Sequence, residues 1–132
     1  MPHLTIEHSA NLSQRADLQA LCAELKDALL ETGLFEIGAV RVRAIACEAY
    51  AIADERPENA FLDMSLRMGA GRSGEDKKRI GEALFSAAER RLKPLFAEPH
   101  FALSLEVREI DPALSWKKNA MHARLRTPAR EG

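Results

Sequence analysis

Ala60-Phe61-Leu62-Asp63-Met64-Ser65-Leu66-Arg67-Met68-Gly69-Ala70-Gly71-Arg72-Ser73-Gly74-Glu75-Asp76 holds a strand, a tight loop and a helix start in one short stretch. Leu62, Met64, Leu66 and Met68 alternate with Phe61, Asp63, Ser65 and Arg67. That period of two places one set on each face of a strand. Gly69-Ala70-Gly71-Arg72 turns the chain, and Ser73 to Asp76 reads as a capping-box-like start with an acid at the third helical position. Ile80, Leu84, Ala87 and Arg91 carry the helix on, and Pro94 ends or kinks it. Phe101 to Val107 alternates again, so the unit is β-α-β.

The residues before it repeat the order. In His3 to His8, Leu4 and Ile6 share one face of a strand and His3, Thr5 and Glu7 the other. Ala10-Asn11-Leu12-Ser13 supplies cap-type residues, and Asp17 suits a helix start. Leu18, Leu21, Leu25 and Leu29 predict an amphipathic helix of about five turns to Glu31, with Gly33 just past its end. Ala39 to about Tyr50 predicts a long strand, with Val40, Val42 and Ala44 on one face and Arg41 and Arg43 on the other. Asp54 to Asn59 is a polar break with proline between the units. The period is about 60 residues. The expected fold is therefore α+β, in two layers: two tandem β-α-β units, about 2–52 and 59–109, forming a four-stranded mixed sheet with two helices on one face. Residues 1–126 form a single domain ending in a carboxy-terminal arm, and 127–132 is a frayed tail.

The chain has 132 residues, 46% hydrophobic and 30% charged, which fits one soluble domain with one core. A formal charge of −1 offers no basic excess for nucleic acid. No apolar run suits a membrane span and no signal peptide is expected, so a cytoplasmic location is the default. Cys22 and Cys47 lack metal or redox spacing, and His3, His8, His100 and His122 lack ligand spacing, so no metal site is predicted. His122 is expected to tie down the arm. The sheet face away from the helices mixes Ile45 and Cys47 with Arg41 and Arg43, which suits contact with another subunit. Asp111 to Leu125, with Trp116, Met121 and Leu125, is expected to reach onto a neighbour.

Pro2 is the candidate for chemistry. Trimming of Met1 would leave it a secondary amine, a compact base that burial and nearby cations push below the ordinary 7.7–8.0 of an α-amino group. A methionine kept ahead of it leaves a tertiary amide, which is no base. Arg41 and Arg43 share a strand face. Either can clamp an anion or pair with Glu7 or Glu48 across strands. Arg72 is a candidate anion ligand at a helix opening, or a solvated loop charge.

Met1-Pro2-His3, Gly69-Ala70-Gly71-Arg72-Ser73, Val40-Arg41-Val42-Arg43, Leu103-Ser104-Leu105-Glu106 and Lys117 to Ala123 together resemble the 5-carboxymethyl-2-hydroxymuconate Δ-isomerase family of the tautomerase superfamily, over about residues 2–125. Smaller tautomerases have one β-α-β unit, and this chain looks like two fused. Only the first unit owns a terminal amine and the strand arginine Arg41, and only the second keeps Gly71-Arg72-Ser73. The resemblance implies one site per chain, built from both units, and a homotrimer. It implies tautomerisation of a small polyanionic 2-hydroxymuconate, with Pro2 as base and then acid, Arg41 or Arg43 on a carboxylate and the 2-oxygen, and Arg72 on a distal carboxylate. No metal or organic cofactor is needed. Two alternatives remain open at this point. One is a dehalogenase or decarboxylase on the same scaffold, with Glu7, Asp63 or Glu106 as an added acid. The other is a non-catalytic trimeric ferredoxin-like binding module.

Overall fold

A computed structural model of the chain describes residues 1–126. The tail expected at 127–132 lies outside the described residues. The elements follow the expected order: β1 His3–Ser9, α1 Leu18–Glu31, β2 Arg41–Cys47, β3 Ala60–Gly69, α2 Gly74–Arg91, β4 Phe101–Ile110 and a short α3, Met121–Leu125. The four strands form one mixed sheet in the order β2-β1-β3-β4. β1 pairs parallel with β2, and β3 parallel with β4, across the crossover helix of each unit. The units join at the centre of the sheet, where β1 and β3 run antiparallel from His3 opposite Arg67 to His8 opposite Leu62.

The core lies between the sheet and its helices. Leu4 and Ile6 of β1, and Leu62, Met64, Leu66 and Met68 of β3, are fully buried. They meet Leu21, Leu25 and Leu29 of α1 and Ile80, Leu84 and Ala88 of α2. The alternating set of the central strand is thus the apolar floor on which both helices rest. Each such side chain contributes roughly 1.5–3 kcal/mol through burial. The helices are tied to each other by an Arg91–Glu24 ion pair, and Arg79 donates to the Thr32 carbonyl at 3.0 Å.

Local departures from the sequence expectation have local causes. Ala10–Leu12 forms a 3-10 turn, so α1 is capped by Asp17, whose Oδ1 accepts from the Ala20 N–H at 2.9 Å. The second strand starts only at Arg41, because Ile37–Ala39 makes another 3-10 turn. Ser73 caps α2 as expected, accepting from the Asp76 N–H at 3.0 Å. Gly33 has φ +76°, the left-handed geometry its place after α1 predicts. β4 runs on to Ile110, three residues past the expected end, paired throughout with β3.

The link between the units is stapled. Asn59 is buried, and its Nδ2 donates to the Ile52 carbonyl at 3.1 Å and to Asp54 Oδ1 at 2.7 Å. Asn11 Nδ2 donates to the Asn59 carbonyl at 2.8 Å. The end of the arm docks on its own chain. It returns to its own Ile37–Ala39 turn, where α3 packs. His122 takes part in this docking, lying 3.7 Å from Glu36 Oε2, and Arg126 pairs with Glu36.

Candidate active site at the amino terminus

Because β1 and β2 run one way and β3 and β4 the other, one end of the sheet gathers the starts of two strands and the ends of two. The register there aligns Arg41 beside His3, Arg67 on the other side of His3, and Arg108 beyond Arg67. Neighbouring strands are about 4.8 Å apart, so these side chains form one row. They lie on the sheet face opposite the row of Leu4, Val42, Leu66 and Val107, which faces the helices. Period-two alternation in each strand creates the polar row, and the register brings its cations together.

Pro2 is buried directly before β1, and its carbonyl accepts from the Arg41 N–H at 3.1 Å. A cavity of about 650 Å³ adjoins the terminus, lined by Met1, His3, Arg41 and Arg67 and by Trp116 and Lys117 of the arm. A second cavity, of about 350 Å³, is lined by Met1, Ala39, Lys117, Asn119, His122 and Arg126. Among the described residues, Arg41, Arg67, Lys117 and Lys118 make no ion pair with a carboxylate. The site therefore carries uncompensated positive charge and favours an anionic ligand.

That charge acts on the chain's own bases. Burial, then Lys117, Arg72 and Arg41, hold the terminal amine on Met1 below its ordinary 8.0. Burial, then Arg67, Arg43 and Arg41, hold the His3 imidazole below its ordinary 6.5. Both effects disfavour a further positive charge. The lowered pKa favours the neutral form of the amine, the form able to accept a proton.

The predicted residues are not all placed alike. Arg41 lines the larger cavity, with Nη1 donating to the Gly38 carbonyl at 2.9 Å and to the Val40 carbonyl at 3.2 Å. The rest of its guanidinium fork keeps donors for a ligand. Arg43 is exposed one row farther along β2, 3.3 Å from His3 Nδ1, and lines neither cavity. Arg72 donates to the Leu34 carbonyl at 2.9 Å and the Gly69 carbonyl at 3.2 Å, with its guanidinium 4.4 Å from the centre of the Phe35 ring. It clamps the loop after β3 onto the chain following α1, and from there its charge reaches the amine.

His3, Arg67, Trp116, Lys117 and Lys118 line the cavity without having been named as site residues from the sequence. Alternation alone put Arg67 on the polar face of β3, but only the β1–β3 register sets it beside His3. The acids considered for other chemistry lie away from the cavity: Asp63 accepts from Ser104 at 2.6 Å, Glu106 pairs with Arg108 at 2.8 Å, and Glu7 is the register partner of Asp63. No group of three or more His, Cys, Asp or Glu able to hold a metal ion occurs among the described residues. No helix among them is long and apolar enough to cross a membrane.

Known proteins share this arrangement of chain. Residues 2–125 match the family model described as 5-carboxymethyl-2-hydroxymuconate isomerase. A 5-carboxymethyl-2-hydroxymuconate Delta-isomerase of Escherichia coli is 36% identical over 123 residues, covering 93% of this chain and 98% of that protein. The crystal structure of a 5-carboxymethyl-2-hydroxymuconate isomerase from Deinococcus radiodurans R1 superposes with a TM-score of 0.87 at 40% identity, covering 93% of this chain and 92% of that one. Another, a 5-carboxymethyl-2-hydroxymuconate delta-isomerase, gives 0.86 at 33% identity, covering 94% and 92%. Solved structures at 12% and 18% identity share the tautomerase-superfamily fold alone. The full length of the two-unit domain is thus matched both in sequence and in structure, and the chain belongs to the 5-carboxymethyl-2-hydroxymuconate isomerase family, as an isomerase with the tautomerase-superfamily fold.

Proposed function

We propose that this isomerase converts 5-carboxymethyl-2-hydroxymuconate, or a similar 2-hydroxymuconate, into its 2-oxo tautomer during aromatic-acid (homoprotocatechuate) breakdown in the cytoplasm. The working enzyme has lost Met1 and acts as a homotrimer. One observation carries this: the terminal amine lies against a cavity whose cations have no carboxylate partners among the described residues. Loss of Met1 moves the amine back by one residue, about 3.8 Å, onto Pro2. There it stays beside Arg41, whose N–H already meets the Pro2 carbonyl.

The Pro2 nitrogen takes the proton of the 2-hydroxyl. The electron pair moves through the diene, the 2-oxygen becomes a carbonyl, and the protonated proline gives a proton to carbon 5. Proton count and charge balance over the cycle, and no redox step occurs. Arg41 offers free guanidinium donors to the carboxylate and the developing charge on the 2-oxygen. Arg67 lies across His3 from it and can hold a second carboxylate. Arg43 serves from the next row, and Arg72 contributes charge and loop geometry.

The test has two parts. Mass spectrometry of protein from its native cell reports whether Met1 is gone. Ultraviolet absorbance then follows loss of the hydroxydiene, comparing 5-carboxymethyl-2-hydroxymuconate with plain 2-hydroxymuconate. Processed protein that turns over neither compound overturns the proposal and favours a binding module. Turnover of halo-acrylates in the same assay series would favour a dehalogenase.

A further inference from the structure

Lys117 lines both cavities that border Met1. It has no carboxylate partner among the described residues. The segment that carries it is anchored. Two residues on, Asn119 Nδ2 donates to the Gly38 carbonyl at 2.8 Å, and Asn119 Oδ1 accepts from the Met121 N–H at 2.8 Å. Gly38 itself leaves no room, since a Cβ there would come within 3.0 Å of His122 Nδ1. The same Gly38 carbonyl accepts from Arg41 Nη1 at 2.9 Å. One backbone oxygen thus fixes the arginine of β2 and the arm that bears Lys117.

We propose that Lys117 is a substrate-binding residue that holds a carboxylate of the polyanion where the two cavities meet, with Asn119 as the positioning residue that sets it there through Gly38. The proposal rests on the tautomerisation proposed above. Met1 borders both cavities, so its removal opens one toward the other and leaves Lys117 at their junction. An ammonium on a flexible four-carbon stem suits this place, since it can follow a carboxylate as the substrate shifts between proton loss and proton gain. The charged and titratable groups around the amine are His3 of β1, Arg41 of β2, Arg67 of β3, Arg72 of the following loop, Lys117 and Lys118 of the arm, and His122 and Arg126 at the arm's end. After burial, Lys117 stands first among the causes that lower the pKa of the amine.

The experiment uses Met1-free protein with Lys117→Ala, Lys117→Gln, Lys117→Arg and Asn119→Ala. Calorimetry measures binding of muconate, a dicarboxylate without the reacting hydroxyl. Kinetics give KM, kcat and the pH profile of kcat/KM. Loss of one charge-assisted contact should weaken muconate binding about 10-fold to 100-fold and raise KM similarly. In Lys117→Ala and Lys117→Gln the acid limb should move to higher pH, because a cation beside the base is gone. Lys117→Arg should restore binding, and Asn119→Ala should raise KM in the same direction with less effect on the limb. Unchanged binding and an unchanged limb in folded Lys117→Gln overturn the assignment. Muconate binding that depends on Lys117, in a protein without turnover, would instead reject the tautomerisation and leave the Lys117 site standing. Turnover whose KM and pH profile ignore Lys117 would do the reverse.

Discussion

Each residue at the amino terminus does what its neighbours allow. Pro2→Ala in Met1-free protein should lower kcat by about 100-fold or more, the scale of a positioned general base, with unchanged thermal midpoint. Near-normal turnover would reject Pro2 as the base. His3 makes a stability prediction. Its folded pKa is lowered from 6.5 by burial and by Arg67, Arg43 and Arg41. Below that value the unfolded chain binds a proton that the folded chain resists, so stability present at neutral pH is lost on acidification. Urea midpoints at pH 7.5 and 5.5 should therefore converge in His3→Gln relative to the parent. An identical acid loss in both proteins would refute this. Arg72 was readable as an anion ligand from its Gly-Arg-Ser setting, but its two carbonyl contacts and the Phe35 ring come from distant segments. Arg72→Ala should raise KM and also cost about 1–3 kcal/mol, since two part-buried carbonyls lose their donor. A raised KM with no thermal shift would make Arg72 a ligand and not a clamp.

At the scale of elements, the strands and helices were legible because their patterns are local. Leu62, Met64, Leu66 and Met68 alternate over a strand that the structure buries on that face alone. Met64→Ala should destabilise by about 2–5 kcal/mol through lost contact and a cavity beneath both helices, measured by denaturant unfolding. The boundaries were less legible. Nothing in the apolar pattern near Ile37 separates a strand start from the 3-10 turn that the structure places there, because that turn is shaped by the α3 segment packed on it. The seat of the arm's end was not legible for a related cause. The arm's apolar residues mark it as a docking segment, while the seat is Gly38, far away in the chain and small enough to admit His122.

For the whole molecule, the face of the sheet away from the helices carries rows of mixed polarity, such as Ile45 in line with Glu7, Asp63 and Ser104. Leu114 and Trp116 are 71% and 86% exposed on the single chain. Aromatic and aliphatic surface of this kind is a feature of subunit contacts. In the proposed homotrimer, sedimentation should give three chain masses, and Trp116→Glu should shift it toward one. A single-chain mass for the parent would dismiss the trimer. The sequence by itself determined the two β-α-β units, the apolar face of every strand and the presence of a proline able to become terminal. Those properties depend on neighbours one to four residues apart, where periodicity and capping act. Only the tertiary structure decided which cations gather at the amino terminus. Arg41 and Arg67 come from the two strands that flank β1 and Lys117 from a returning arm, and strand pairing and arm docking are contacts between residues that the chain order keeps apart. The amino terminus thus has its candidate base from the first residues of the chain, and its charge from the fold.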